Sequence, residues 1–89
     1  MENKVEELAV DFILKKSQIN VRTVFSKATI VTVQLPNGFV IVESSGAVSP
    51  ENYDLKMGKE ICMDRIKSKI WELEGYKLAS ILAEKEQEE

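Results

Sequence analysis

Two arginines, Arg22 and Arg65, carry the most directional chemistry in this 89-residue chain, and Lys59 stands six residues before the second. A guanidinium presents a planar fork of donors that meets phosphate or carboxylate through two parallel charge-assisted bonds. Arg65 follows Ile61 by four residues on an expected helix, so it borders that helix's apolar stripe. From there it can snorkel, pair with a carboxylate or hold a phosphate. Arg22 lies mid-strand on the less apolar face of an expected sheet, suited to a ligand wall or a subunit contact. Ser44 and Ser45 end a strand just before Gly46, where hydroxyls and backbone amides can face a phosphate or ribose. No Walker or dinucleotide glycine fingerprint accompanies them. Asn37 and Asn52 add amide donors, while Phe25 and Tyr53, at a strand end and in a loop, are the aromatics placed to stack on a base. Phe39 and Trp71 are expected in the core.

Catalytic chemistry is harder to assemble from this set. The chain has no histidine and one cysteine, which excludes a histidine triad, a histidine-containing zinc site, a thiolate cage and an internal disulfide. Cys62 falls within an apolar stripe and reads as a small core residue. Glu72 and Glu74 are two apart on a helix and would not face each other. A binding protein is expected rather than an enzyme, with no cofactor and no metal.

Composition sets the scale. Residues 1–89 make one small domain, and a core this size is often completed by oligomerisation, so a homo-oligomer is expected. The formal charge of -3 disfavours general DNA binding. It is unevenly spread, however: Lys56, Lys59, Arg65, Lys67 and Lys69 cluster against Glu60 and Asp64, which favours a small anion locally. Residues 84–89 hold four glutamates and one lysine and are expected to fray as an acidic tail. The single cysteine, the acidic N-terminus and the lack of an apolar run near 20 residues predict a soluble cytoplasmic protein without a membrane span.

The elements that must position these groups follow from hydrophobic periodicity. Residues 3 to 16 read as a helix with Val5, Leu8, Ala9, Phe12 and Ile13 on its buried face. An antiparallel meander of three or four strands is expected from about Asn20 to Ser44, turning at Ser26-Lys27-Ala28 and at Pro36-Asn37-Gly38. Asn37-Gly38 is a strong hairpin signal because both residues tolerate positive φ. Ser49-Pro50 and Asp54 then introduce the main helix, with Leu55, Gly58, Ile61, Cys62, Ile66, Ile70 and Leu73 as its buried stripe. Gly58 costs about 1 kcal/mol of helix propensity and so predicts close packing on the sheet. Gly75 predicts a break, with a shorter last helix around Tyr76, Ala79, Ile81 and Leu82. The expected fold is α+β: an N-terminal helix, the small meander, then two C-terminal helices packed on the sheet.

Residues 27 to 83 resemble a phage protein family named after gene product forty-nine of an enterobacterial phage. The matching features are Leu35-Pro36-Asn37-Gly38-Phe39, the run Glu43-Ser44-Ser45-Gly46-Ala47-Val48-Ser49-Pro50-Glu51-Asn52-Tyr53-Asp54, then Gly58-Lys59, Arg65 and Lys69-Ile70-Trp71-Glu72-Leu73-Glu74-Gly75-Tyr76. The family pattern has Ser-Ala-Cys at Ser45-Gly46-Ala47 and a proline at Glu72. This family looks like the one that contains the first-described Thoeris anti-defence proteins. The resemblance implies a phage "sponge" that binds cyclic ADP-ribose isomers made by TIR-domain enzymes, without cleaving them, and so silences a host immune signal. It further implies a two-fold dimer with ligand pockets between protomers, assembly to a hexamer, and binding of cyclic oligonucleotide signals at separate sites. Such a ligand needs cations, which Arg22, Lys59 and Arg65 supply. It also needs hydrogen-bond donors, from Asn37, Ser44, Ser45 and Asn52, and a stacking surface, from Phe25 and Tyr53. The rival readings are a phage module that binds a host protein through apolar helix faces, and a weak nucleic-acid-binding module using the basic helix.

Overall fold

The β-branched residues after the first helix fold as the expected meander. The computed structural model describes residues 3–88. Strands β1 (Gln18–Val24), β2 (Ala28–Gln34) and β3 (Val40–Gly46) form one antiparallel sheet in the order β1-β2-β3. Side chains alternate across a strand, so one face of β2 carries Thr29, Val31 and Val33, all fully buried. Val33 stands opposite Ile41 on β3, and Val31 opposite Val21 on β1. The other face carries the row Arg22, Ile30 and Ser44, one residue from each strand. Among the described residues no side chain of that second face belongs to the core, whose buried side chains are Val10, Val31, Val33, Ile41, Cys62, Ile66 and Ile70.

The two turns reach their geometry by different routes. At the first, the Lys27 N–H donates to Val24 O, with Phe25 at φ 54° and Ser26 at φ 55°. Two positive φ values in succession are the sign pattern of a type I′ turn, which matches strand twist but is costly for a side chain as large as phenylalanine. At the second, the Gly38 N–H donates to Leu35 O at 2.8 Å and the Leu35 N–H donates to Phe39 O at 2.8 Å. Only Gly38 is left-handed there, at φ 93°. The loop is therefore a type I turn started by Pro36 and closed by a glycine bulge, and not a turn needing positive φ at both Asn37 and Gly38.

Helix α1 (Glu7–Lys15) is shorter than the expected span and presents a face that overlaps the expected one only in part. Val10 is buried and Ile13 and Leu14 pack beside it, whereas Leu8 is 81% exposed and Phe12 points outward with the Lys16 ammonium over its ring. Of the expected face Val5, just before α1, and Ile13 pack against the core, while Leu8, Ala9 and Phe12 do not; apolar residues around most of the helix leave that choice open to periodicity. Lys67 pins the helix, its Nζ lying 2.9 Å from both Glu7 Oε2 and Asp11 Oδ1. Those bonds, Glu7 first, raise the Lys67 pKa above its ordinary value.

Helix α2 (Leu55–Glu88) is one continuous helix of 34 residues where two were expected. It runs about 51 Å at 1.5 Å per residue and sets the long axis of a molecule measuring 60 × 20 × 19 Å. Gly75 sits inside it. A single glycine costs about 1 kcal/mol, too little to break a helix flanked by strong formers such as Leu73, Glu74, Lys77 and Ala79. Residues 84–88 are helical as well, so the acidic stretch extends α2 rather than fraying from it; Glu89 lies outside the described residues. The buried stripe is Gly58, Cys62, Ile66 and Ile70, while Leu55 and Leu73 stay partly exposed. Phe39 and Trp71, expected in the core, are 51% and 38% exposed. Both belong to positions at the rim of the helix-sheet layer, where hydrophobicity alone does not decide depth. Among the described residues no helix is long and apolar enough to cross a membrane.

Candidate functional site

Where β3 ends, the chain folds over the first turns of α2 and encloses a cleft of about 290 Å³. Its walls include Ser45, Asn52, Tyr53, Asp54, Met57 and Gly58. The Ala47 N–H donates to Lys27 O at 2.7 Å and ties the start of the connecting loop to the sheet. Pro50–Asn52 then form a single 3-10 turn, closed by the Tyr53 N–H donating to Pro50 O. Proline at its first position supplies the required φ. Beside it the Glu51 carboxyl is held below the ordinary carboxylate value by its backbone N–H and then by the Ser49 hydroxyl. Asp54 caps α2, its Oδ1 accepting from the Met57 N–H at 3.1 Å.

The floor of the cleft is built by close approach. Gly58 lies directly over Thr29 of β2: a β-carbon at Gly58 would collide with Thr29 Oγ1 and stand 3.0 Å from Thr29 Cβ. That is the tight packing its cost in helix propensity implied. The Tyr53 hydroxyl reaches across the same layer and bonds both Thr23 Oγ1 at 2.7 Å and Thr29 Oγ1 at 2.9 Å. Its ring is thereby fixed as a wall of the cleft. The two threonines are the contributors that sequence reasoning missed; a glycine in a helix facing a β-branched hydroxyl strand was the available signal. Cys62 is buried as expected, and burial pushes its thiol pKa up.

The nine residues singled out above are distributed over several surfaces. Ser45, Asn52 and Tyr53 meet in the cleft. Phe25, 93% exposed, sits on the turn at the same end of the sheet, since Val24 pairs with Ala28 and Ala28 with Gly46. Arg22 and Ser44 share the open-face row through Ile30. Arg65 reaches the β3 edge instead, donating from Nη1 to Ser44 O at 2.8 Å, which engages part of its fork, and it makes no ion pair among the described residues. It also lines a shallow groove on α2 with Asp64, Ser68, Lys69 and Glu72. Lys59 is exposed on α2 and makes no ion pair among the described residues. Asn37 is remote, beyond the far end of β2 and about 20 Å along the strand direction. Its Oδ1 accepts from the Phe39 N–H at 3.0 Å and serves the turn.

Asn37 also borders a second concavity, about 350 Å³ between α1, the second hairpin and α2, whose apolar lining includes Ile13, Leu35, Phe39 and Leu73. That concavity offers one ammonium, Lys77, beside Glu74, and suits an apolar group better than an anion. The first cleft has the opposite imbalance. It has hydrogen-bonding groups and an aromatic wall but no lysine or arginine in its lining, so charge for an anion must come from outside it.

The family model of the Phage protein (N4 Gp49/phage Sf6 gene 66) family matches residues 2–82, and the chain belongs to that family. No curated protein and no solved structure matches it.

Proposed function

We propose that this phage-family protein binds and sequesters cyclic ADP-ribose-type nucleotides without cleaving them, and so acts against Thoeris immunity in the cytoplasm of an infected host. The observation that carries this reading is the cleft of about 290 Å³ bordered by Ser45 and Asn52, whose side chains bond no other described residue, beside the fixed ring of Tyr53. Its volume is at the low end of small-molecule pockets, which run from about 300 to 1,000 Å³. It therefore accommodates a nucleoside-sized part of the ligand. The phosphates extend beyond it toward guanidinium and ammonium groups such as Arg22, Lys59 and Arg65, completed by a second protomer. Phe25, held out from the same end, adds a stacking surface.

Sequestration requires affinity and copy number rather than turnover; nanomolar binding corresponds to roughly -12 kcal/mol. The test is to incubate the protein with a cyclic ADP-ribose isomer and follow thermal unfolding and the released nucleotide. A raised midpoint with intact ligand recovered on denaturation is the expected result. No shift with any such nucleotide would refute the reading, and a cleaved product would make the protein an enzyme. A second reading, a module that docks on a host protein, is favoured by the apolar side chains left outside the core, Phe25, Val48 and Leu8 above all. It predicts a partner that competes for these residues and no nucleotide-dependent shift.

A further inference from the structure

Away from the cleft, the concavity of about 350 Å³ has two opposite charges on its rim that do not satisfy each other. Glu74 and Lys77 stand one turn apart on the same face of α2. Glu74 Oε2 and Lys77 Nζ are 4.0 Å apart, beyond the roughly 2.7–2.9 Å of a charge-assisted hydrogen bond. Neither side chain makes a hydrogen bond or a second ion pair among the described residues. The Glu74 side chain is the more sheltered, 28% exposed against 69% for Lys77. A carboxylate beside an apolar wall gains from any donor that reaches it there.

The walls themselves are apolar and preformed. Ile13 and Leu35 pack against the core and Ile70 is buried, yet Phe39 and Leu73 remain half-exposed. Three hydrogen bonds fix the hairpin wall. The Gly38 N–H donates to Leu35 O, the Leu35 N–H to Phe39 O, and the Phe39 N–H to Asn37 Oδ1. A ligand meeting this wall has little of the protein left to order. The volume lies at the low end of small-molecule sites, about 300–1,000 Å³, so the occupant is small.

We propose that this concavity binds a small zwitterion with an apolar body, the chemistry of an aromatic α-amino acid. The body lies against Phe39 and Leu73, the ammonium bonds Glu74 and the carboxylate takes Lys77. Four charges then alternate in sign, and each neighbours two of the opposite sign. A simple anion would gain Lys77 and be repelled by Glu74, and a simple cation would meet the reverse. The site lies at the opposite end of the sheet from the cleft and stands independently of the nucleotide reading.

Three ligands that share an indole body test the head group. Tryptophan carries both charges, tryptamine lacks the carboxylate and indole-3-propionate lacks the ammonium. In calorimetric titration tryptophan should bind about tenfold tighter than either, the worth of one charge-assisted hydrogen bond. On Glu74→Gln, tryptophan should fall level with indole-3-propionate; on Lys77→Met, with tryptamine. Both substitutions fall outside the core and keep good helix formers, so the variants should unfold thermally like the wild type. Phe39→Ser should weaken all three ligands alike. Ile81→Ser should leave them unchanged, since it borders a separate hollow that Glu74 and Lys77 also reach. Failure of all three to bind at millimolar concentration would overturn the proposal. So would equal affinities on the wild type, or loss of binding in Ile81→Ser but not in Phe39→Ser.

Discussion

Alanine at Gly58 should destabilise the protein, while the same substitution at Gly75 on the same helix should stabilise it. In both cases alanine gains roughly 1 kcal/mol of helix propensity. At Gly75 nothing lies within 4 Å of the added carbon, so the gain is expressed in full and the thermal midpoint should rise by about 4–8 °C. At Gly58 the added carbon meets Thr29, a fully buried residue of the central strand that cannot move aside. Overpacking of this kind costs about 1–3 kcal/mol. Displacing Thr29 Oγ1 also strains its bond to the Tyr53 hydroxyl, worth about 1 kcal/mol. Set against the propensity gain, the net loss is about 1–3 kcal/mol, a fall in midpoint on the order of 10 °C. Urea unfolding followed by Trp71 fluorescence, at one fixed protein concentration because assembly would shift the midpoint, measures both variants. Adding Thr29→Ala to Gly58→Ala removes the colliding oxygen and should recover part of the loss. If Gly58→Ala is as stabilising as Gly75→Ala, α2 does not press on β2 there and the cleft has no such floor.

Other perturbations have equally definite signs. Replacing Phe25-Ser26 by Asn-Gly suits residues to two positive φ values and should raise stability by about 1–3 kcal/mol in the same urea assay; an unchanged midpoint would mean that the turn carries no strain. Tyr53→Phe removes both hydroxyl bonds and strands the buried Thr29 oxygen, so it should cost about 1–3 kcal/mol while leaving the ring available to a base. A thermal shift by nucleotide should therefore persist in Tyr53→Phe and vanish in Tyr53→Ala. Because the folded-state pKa of Lys67 is raised, its contribution is complete below the unfolded lysine value near 10.4 and is lost as pH rises through the folded value. The stability difference between wild type and Lys67→Met should narrow above about pH 10.4, and a constant difference would show that the ammonium does not hold α1.

Much of the fold was legible because its signals were local and redundant. The alternation through Val31 and Val33, the Pro36-Asn37-Gly38 reversal and the cap at Asp54 each mark an element at one place in the chain, and the structure has all three there, although the turn is left-handed at Gly38 alone. What escaped was the choice between alternatives of similar local energy. Helix α1 has apolar residues around most of its circumference, so burying Val10 and exposing Leu8 is decided by the partner surface, not by the helix. Gly75 marks a helix end only when flanking residues also favour stopping, and here they favour continuing. The sites were less legible still, since cross-strand register determines that Arg22 shares a row with Ser44, and no spacing along the chain encodes that.

The run from Glu43 to Gly58 supplies most of the cleft lining and was also where the family resemblance was densest, yet its residues do not all bear on a ligand alike. Tyr53 and Gly58 are accounted for by Thr29: one bonds it, and the other leaves room above it. Asp54 is accounted for by the Met57 N–H, and Asn37 and Arg65, outside the cleft, by the Phe39 N–H and Ser44 O. Each of these five already has a contact within the fold. Ser45 and Asn52 form no side-chain hydrogen bond among the described residues, although both border the cleft. A side chain whose bonding capacity the fold leaves unused can give it to a ligand at no cost in stability. Asn52→Ala and Ser45→Ala should accordingly change unfolding free energy by less than about 0.5 kcal/mol, as ordinary surface substitutions do, while reducing the nucleotide-induced thermal shift. If either residue instead proves essential to stability and indifferent to nucleotide, the cleft belongs to the fold, and the ligand must be sought on the open face beside Arg22.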